Sequence, residues 1–184
     1  MSPKITGGSL GSRKLKSPKG VQIRPTPGRV KESLFSMLMG RIEGARVLDL
    51  FAGTGAIGFE AASRGASRVV SVEAHRETAH EIEAAAKELG IAGVVEVVAA
   101  PAERALYRVE GPFDIVYLDP PYANELPLTV FRLLTERSLL AGGAVVIYEH
   151  AAKRILPDVP GYRSVREEVY GDVALAFLEV VGGT

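Results

Sequence analysis

Between residues 47 and 58 the chain reads Val47-Leu48-Asp49-Leu50-Phe51-Ala52-Gly53-Thr54-Gly55-Ala56-Ile57-Gly58. The first five residues are mostly apolar and too few for a helix, so they suit a buried strand. The glycines permit a tight turn, and Ala56 to Ser63 then reads as a helix closed at Gly65. A strand that runs into a helix must cross over to rejoin its sheet, which implies parallel strands with helices on both faces. The pattern recurs downstream. Val69-Val70-Ser71-Val72 reads as a second strand, and Arg76 to Leu89 as a long helix closed by Gly90. Val94 to Val98 reads as a third strand with a short helix at Glu103 to Leu106, and Ile115-Val116-Tyr117-Leu118 as a fourth strand. Leu126 to Glu136 is helical, and Ala144 to Tyr148 is a fifth strand after a Gly142-Gly143 turn. The fold class is therefore α/β, a doubly wound and mostly parallel sheet. Two runs, Tyr162 to Tyr170 and Ala174 to Val181, joined by Gly171-Asp172, predict a C-terminal antiparallel hairpin instead of another crossover.

Ahead of this body lies a segment of different character. The 184 residues balance at zero net charge, with 22 basic and 22 acidic side chains. Yet Lys4, Arg13, Lys14, Lys16, Lys19, Arg24, Arg29 and Lys31 all precede the first acid, Glu32. The opening stretch is thus strongly basic and the remainder acidic by the same amount, so a polyanion would be met by the N-terminus. Residues 1 to 28, rich in Gly, Ser, Pro and Lys, read as a basic N-terminal arm or short-stranded extension rather than a packed layer, with one domain over residues 29 to 184. Val30, Leu34, Met37 and Leu38 predict a helix over residues 28 to 40. The absence of cysteine excludes disulfides, thiolate metal sites and cysteine nucleophiles. His75, His80 and His150 are expected at the surface with no metal. No apolar run is long enough for a membrane span or follows the basic residues as a signal peptide would require, which predicts a cytoplasmic protein with no membrane partner.

The glycine segment carries the first chemistry. Backbone can approach a ligand closely there, and the helix N-terminus offers free amide hydrogens. Gly53, Gly55 and Gly58 fit a dinucleotide pattern, and Glu73, 20 residues past Gly53 at the end of the second strand, can accept from ribose hydroxyls of a nicotinamide or an S-adenosyl cofactor. Asp49 favours the second, because an acid ahead of the glycines attracts an ammonium group and repels a pyrophosphate.

The second chemistry lies at Asp119-Pro120-Pro121-Tyr122, at the C-terminal end of the fourth strand, where open α/β sheets bind ligands. The prolines fix the backbone and remove amide donors, leaving outward carbonyls. Asp119 and the Pro120 carbonyl can each accept a hydrogen from a planar exocyclic amine while Tyr122 stacks on its ring. Two acceptors localise the amine lone pair, which can then attack the methyl carbon of a sulfonium without a strong general base.

These motifs resemble the class I S-adenosylmethionine-dependent methyltransferases with a Rossmann-like fold. Further segments narrow the resemblance: Arg13-Lys14-Leu15, Arg24-Pro25-Thr26, Arg29-Val30-Lys31-Glu32-Ser33-Leu34-Phe35 and Tyr170-Gly171-Asp172. Together and in order they resemble the RsmD family of 16S ribosomal RNA guanine-N2 methyltransferases. The resemblance implies S-adenosylmethionine as methyl donor and a guanine of small-subunit ribosomal RNA as acceptor, met within a small ribosomal subunit or its assembly intermediate by a monomeric enzyme. It places Asp49, Phe51, Gly53 and Gly55 around the methionine part of the cofactor, Glu73 with Ala74 at its ribose, and Ala102 and Asp119 beside it. Asp119, Pro120, Pro121 and Tyr122 would hold the guanine amine. Arg24, Pro25, Thr26, Arg29 and Glu32 would form a lid, with Arg13 and Lys14 on RNA. Where many relatives carry an acid followed by Ala after the third strand, this chain has Pro101-Ala102, so adenine recognition falls to backbone atoms or to Glu103. Four other readings of the sequence stay open: methylation of adenine N6 in DNA or RNA, methylation of a protein glutamine, a non-catalytic nucleic-acid-binding module, and a nicotinamide oxidoreductase.

Overall fold

The computed structural model describes residues 4–15, 27–121, 126–156 and 158–182. Its centre is a seven-stranded sheet in the order β3-β2-β1-β4-β5-β7-β6. The strands are β1 (Arg46–Leu50), β2 (Arg68–Glu73), β3 (Val95–Ala99), β4 (Phe113–Leu118), β5 (Leu140–Ala151), β6 (Tyr162–Tyr170) and β7 (Val173–Val180). All pairs among β1 to β5 are parallel, whereas β7 runs antiparallel to β5 and β6 antiparallel to β7. The terminal hairpin is thus present, with its second strand inserted beside β5. The helices are α1 (Gly28–Met37), α2 (Ala56–Ser63), α3 (Arg76–Glu88), α4 (Ala102–Ala105) and α5 (Leu128–Glu136).

Alternation along the strands divides the core in two. Val47, Val69, Ile115, Tyr117, Val145 and Ile147 face α1, α2 and α3. Leu48, Leu50, Val70, Val72, Val116, Leu118, Val146 and Tyr148 face α4 and α5. Both faces are covered, which is why these strands are apolar at nearly every position. Strand β5 begins at Leu140, ahead of the predicted start. Gly142 and Gly143 lie within the strand, where the pairing register to β4 shifts between Phe113 and Ile115 and Gly143 takes φ 73°. The glycines mark an irregularity in the ladder, not the turn expected there.

The N-terminal segment does not stand off the body. Residues 4 to 15 form a tight reversal, with an isolated antiparallel bridge between Lys4 and Lys14, and they pack against α2. Ile5 is 0% exposed and Leu15 4%, both within the α1–α3 core. Each such burial stabilises by about 1.5–3 kcal/mol. At Gly8, φ is +74° and an added Cβ would stand 1.9 Å from the Ser63 carbonyl oxygen, so only glycine allows this approach to the end of α2.

Glu60 of α2 anchors the reversal. Fully buried, it accepts from the Thr6 N–H at 2.7 Å, the Thr6 hydroxyl at 2.8 Å and the Gly7 N–H at 2.8 Å. It also pairs with Arg64 at 2.8 Å and with Lys31 of α1 at 3.0 Å. Burial would raise its pKa, but the bonds from Thr6 and Arg64 and the charge of Lys31 together hold it below the ordinary glutamate value. The bridge between Lys4 and Lys14 fits the short-stranded extension, but the burial of Ile5 and Leu15 corrects the expectation that residues 4 to 15 form no packed layer. Lys16, Lys19 and Arg24 to Thr26 lie outside the described residues.

Candidate active site

The chain order reverses between β1 and β4, adjacent strands whose ends are in register at Leu50 and Leu118. Segments leaving the two strand ends diverge there, one toward α2 and one toward α5, which opens a crevice at the carboxyl edge of the sheet. The glycine loop lies on one side of it and Asp119-Pro120-Pro121 on the other. Two motifs far apart in the chain thus meet at one edge.

The loop is held in a constrained form. Phe51, half-buried, adopts φ 67°, a left-handed conformation that costs a non-glycine residue on the order of 1–2 kcal/mol. Ala52 donates to the Val72 carbonyl at 2.8 Å and Gly55 to the Ala52 carbonyl at 2.8 Å, and these bonds fix the turn. Gly53 and Gly55 are in the same left-handed region, Gly55 as the residue preceding α2. Gly58 has a different reason to be glycine: a Cβ would lie 2.6 Å from the Ser71 hydroxyl, so α2 can sit this close to β2 only without one.

Glu73 ends β2 and joins the loop to the next turn. Its carboxylate accepts from the Gly53 N–H at 2.9 Å and from the His75 N–H at 2.8 Å. A carboxylate has about four acceptor positions, so these bonds orient it and leave capacity for hydroxyls. Ala74 beside it is exposed. Ala102 opens α4 and is buried, so its methyl group packs in the core, while Glu103 next to it is exposed.

Asp49 lies under the loop, 1% exposed, with its carboxylate accepting from the Gly58 N–H at 3.2 Å. Burial pushes its pKa up to about 7; the Gly58 bond opposes the rise and the negative charge of Glu73 adds to it. Ser71, its register neighbour on β2, has a buried hydroxyl without a hydrogen-bond partner among the described residues. The folded pKa exceeds the ordinary aspartate value of 3.8, so the folded chain holds an extra proton between about pH 4 and pH 7. Asp49 therefore contributes most to stability below pH 4, and that contribution is lost as the pH rises to 7, by up to about 4 kcal/mol. Asp49→Asn, unable to ionise, should gain on the parent as the pH rises, its advantage in urea unfolding being roughly 2–3 kcal/mol larger at pH 8 than at pH 5. An equal difference at the two pH values would contradict this origin.

Across the crevice, Asp119 and Pro120 are half-buried and Pro121 is exposed, while Tyr122 lies outside the described residues. Arg13, Lys14, Arg29 and Glu32 are all exposed, the first pair on the N-terminal reversal and the second on α1. Arg24, Pro25 and Thr26 fall outside the described residues. Among those described, no group of three or more His, Asp or Glu side chains is placed to hold a metal ion.

Sequence reasoning missed a further acid at this edge. Glu149, near the end of β5 and 9% exposed, accepts a hydrogen bond from the Tyr117 hydroxyl. It directly follows the apolar run of β5, the position Asp119 has after β4, and that parallel was the signal available. His150 is also not at the surface: it is 3% exposed, stacks on Tyr148 with ring centres 5.4 Å apart, and its Nε2 has no partner among the described residues. His75 and His80 are exposed as expected.

Known proteins resemble this chain over nearly its whole length. The family model described as Conserved hypothetical protein 95 matches residues 3–179. The chain is 37% identical over 174 residues to ribosomal RNA small subunit methyltransferase D of Escherichia coli (strain K12), covering 93% of this chain and 86% of that protein. It is 33% identical over 183 residues to YlbH of Bacillus subtilis (strain 168), covering 97% and 100%. The solved structure of the Escherichia coli protein yhhF superposes with a TM-score of 0.87 at 33% identity, covering 98% of each chain.

Proposed function

Because the chain belongs to the Conserved hypothetical protein 95 family, the RsmD family of ribosomal RNA methyltransferases, we propose that it transfers a methyl group from S-adenosylmethionine to the exocyclic N2 amine of a guanine in 16S ribosomal RNA. The observation that carries this reading is the convergence of the glycine loop and Asp119-Pro120-Pro121 on the β1/β4 crevice. One motif suits the donor, the other the acceptor amine, and the sheet brings them side by side.

The residues present fit the cofactor. S-adenosylmethionine supplies an electrophilic methyl group on a positively charged sulfur, together with an ammonium group. Glu73 places negative charge beside the loop, and an ammonium group brought there would favour the ionised form of Asp49 that burial disfavours. Glu73 has acceptor capacity for ribose hydroxyls beyond its bonds to Gly53 and His75. Phe51, Gly53 and Gly55 shape the loop at the methionine end, with Ala74 and Ala102 flanking the nucleoside.

On the acceptor side, Asp119 takes one N2 hydrogen and the Pro120 carbonyl the other. With both hydrogens engaged, the N2 lone pair is drawn out of conjugation with the ring and aligned on the methyl carbon. S-adenosylmethionine held at the loop would supply the methyl carbon to this nitrogen, with the electron pair of the broken carbon–sulfur bond left on sulfur. The amine then sheds one proton, for which Asp119 is the adjacent acceptor. Tyr122 stacks on the base, which must leave its helical stack to reach the crevice. Arg24, Pro25, Thr26, Arg29 and Glu32 close over it, and Arg13 and Lys14 meet phosphates. On this reading the substrate is the RNA within a small subunit or its assembly intermediate, and the enzyme acts as a monomer in the cytoplasm.

The test is mass mapping of small-subunit RNA from a strain lacking the gene, before and after treatment with purified protein and S-adenosylmethionine. N2-methylguanosine should appear at one position. N6-methyladenosine would replace the guanine assignment with the adenine one, and no methylation of RNA or particles would overturn the reading.

A further inference from the structure

Resting on the guanine reading above, we propose that Glu149 determines base specificity by accepting the N1–H of the target guanine. A guanine taken out of its stack presents two adjacent kinds of donor on its Watson–Crick edge, the N2 amine and N1–H. Asp119 and the Pro120 carbonyl use the two hydrogens of the amine. N1–H has then left its pairing partner and needs an acceptor in the crevice, because a buried donor without one is costly.

The sheet order says where that acceptor should lie. From one side of the crevice to the other the strands run β2, β1, β4, β5. Glu73 and Asp49 lie on β2 and β1 at the loop that takes the cofactor. Asp119 follows β4, so a base whose amine points at the loop extends away from it, toward β5. Leu118 pairs with Tyr148, which sets Glu149 in the row beside Asp119 at the same carboxyl edge. The Tyr117 hydroxyl donates to Glu149 and fixes the orientation of its carboxylate. Held this way on a rigid strand, Glu149 can accept from guanine. Adenine, which offers a lone pair at N1, would meet repulsion there.

The experiment replaces the target guanine, once located by mass mapping, with 2-aminopurine. That base keeps the exocyclic N2 amine but carries a lone pair at N1 in place of N1–H. The parent enzyme should prefer guanine, and Glu149→Gln should narrow the guanine to 2-aminopurine ratio of kcat/KM by roughly 10- to 100-fold, because a glutamine amide can donate to the 2-aminopurine N1. Affinity for S-adenosylmethionine, measured by calorimetry, should stay within a few-fold and confirms that the variant is folded. Where Glu149→Gln fails that check, Tyr117→Phe, which removes one bond that orients the carboxylate, should narrow the same ratio by a smaller factor. An unchanged ratio in a folded variant overturns the role of Glu149. Failure of the parent enzyme to methylate guanine overturns the underlying reading instead, so the two failures are distinguishable.

Discussion

Asp119→Ala should lower the single-turnover rate of methyl transfer by about 10²–10⁴-fold while leaving affinity for S-adenosylmethionine within a few-fold. The separation follows from the sheet order. The carboxylates at the glycine loop, Asp49 and Glu73, are on β1 and β2, whereas Asp119 follows β4 across the crevice. Removing it deletes one of two acceptors on the amine and leaves the lone pair conjugated with the ring. It also removes the acceptor adjacent to the departing proton. Asp119→Asn, which keeps an acceptor oxygen, should fall between the parent and the alanine variant. Single-turnover methylation of unmodified small-subunit RNA, with calorimetry for the cofactor, measures both quantities. Near-normal transfer by Asp119→Ala would remove this residue from the chemistry, and a large loss of cofactor affinity would reassign it to the other side of the crevice.

Much of this layout is legible from residue order because it depends on short-range rules. The apolar runs at Val47 and Val69 alternate with helical patterns, and glycines close α2 and α3 at Gly65 and Gly90. Both features report burial and chain reversal, which are local properties. Glu73 and Asp119 could be picked out because an acid at the end of an apolar strand falls at the ligand-binding edge of any sheet of this type. The N-terminal reversal was hidden for the opposite reason. Ile5 and Leu15 are isolated apolar residues in a Gly- and Ser-rich stretch, with no period to report a buried face. Their burial depends on Glu60, far along the chain. Glu60 itself looks like one charge on a short helix. Nothing local shows that Thr6, Gly7, Lys31 and Arg64 converge on it. His150 was misjudged because β5 continues beyond its apolar run to Ala151, and β7 pairs with that extension at Ala174.

Glu60→Ala should be the most destabilising of the substitutions considered, by about 3–5 kcal/mol, since removing one member of a buried ion pair leaves its partners uncompensated. Lys31, itself 3% exposed, would keep a buried charge, and the Thr6 and Gly7 amides would lose their acceptor. For a chain of 184 residues this corresponds to a fall in Tm of roughly 6–20 °C. Lys31→Met should cost less, because Glu60 would retain its bonds to Arg64 and Thr6. The consequence reaches the RNA side. Glu60 holds Thr6 and Gly7 on one side of residues 16 to 26 and Lys31 on the other, so it fastens both flanks of the segment containing Arg24, Pro25 and Thr26. With the reversal released, Arg13 and Lys14 lose their fixed position, and RNA affinity should fall with a flatter salt dependence. Every phosphate no longer neutralised by the protein lowers the slope of log affinity against log salt by roughly 0.7–0.9. Deleting residues 1–15 should reproduce the loss of stability, because it strips Ile5 and Leu15 from the core and takes the same donors from Glu60. Urea unfolding and RNA titrations over a range of salt measure the two effects. A truncated protein as stable as the full chain would show that the N-terminal reversal rests on the body without supporting it.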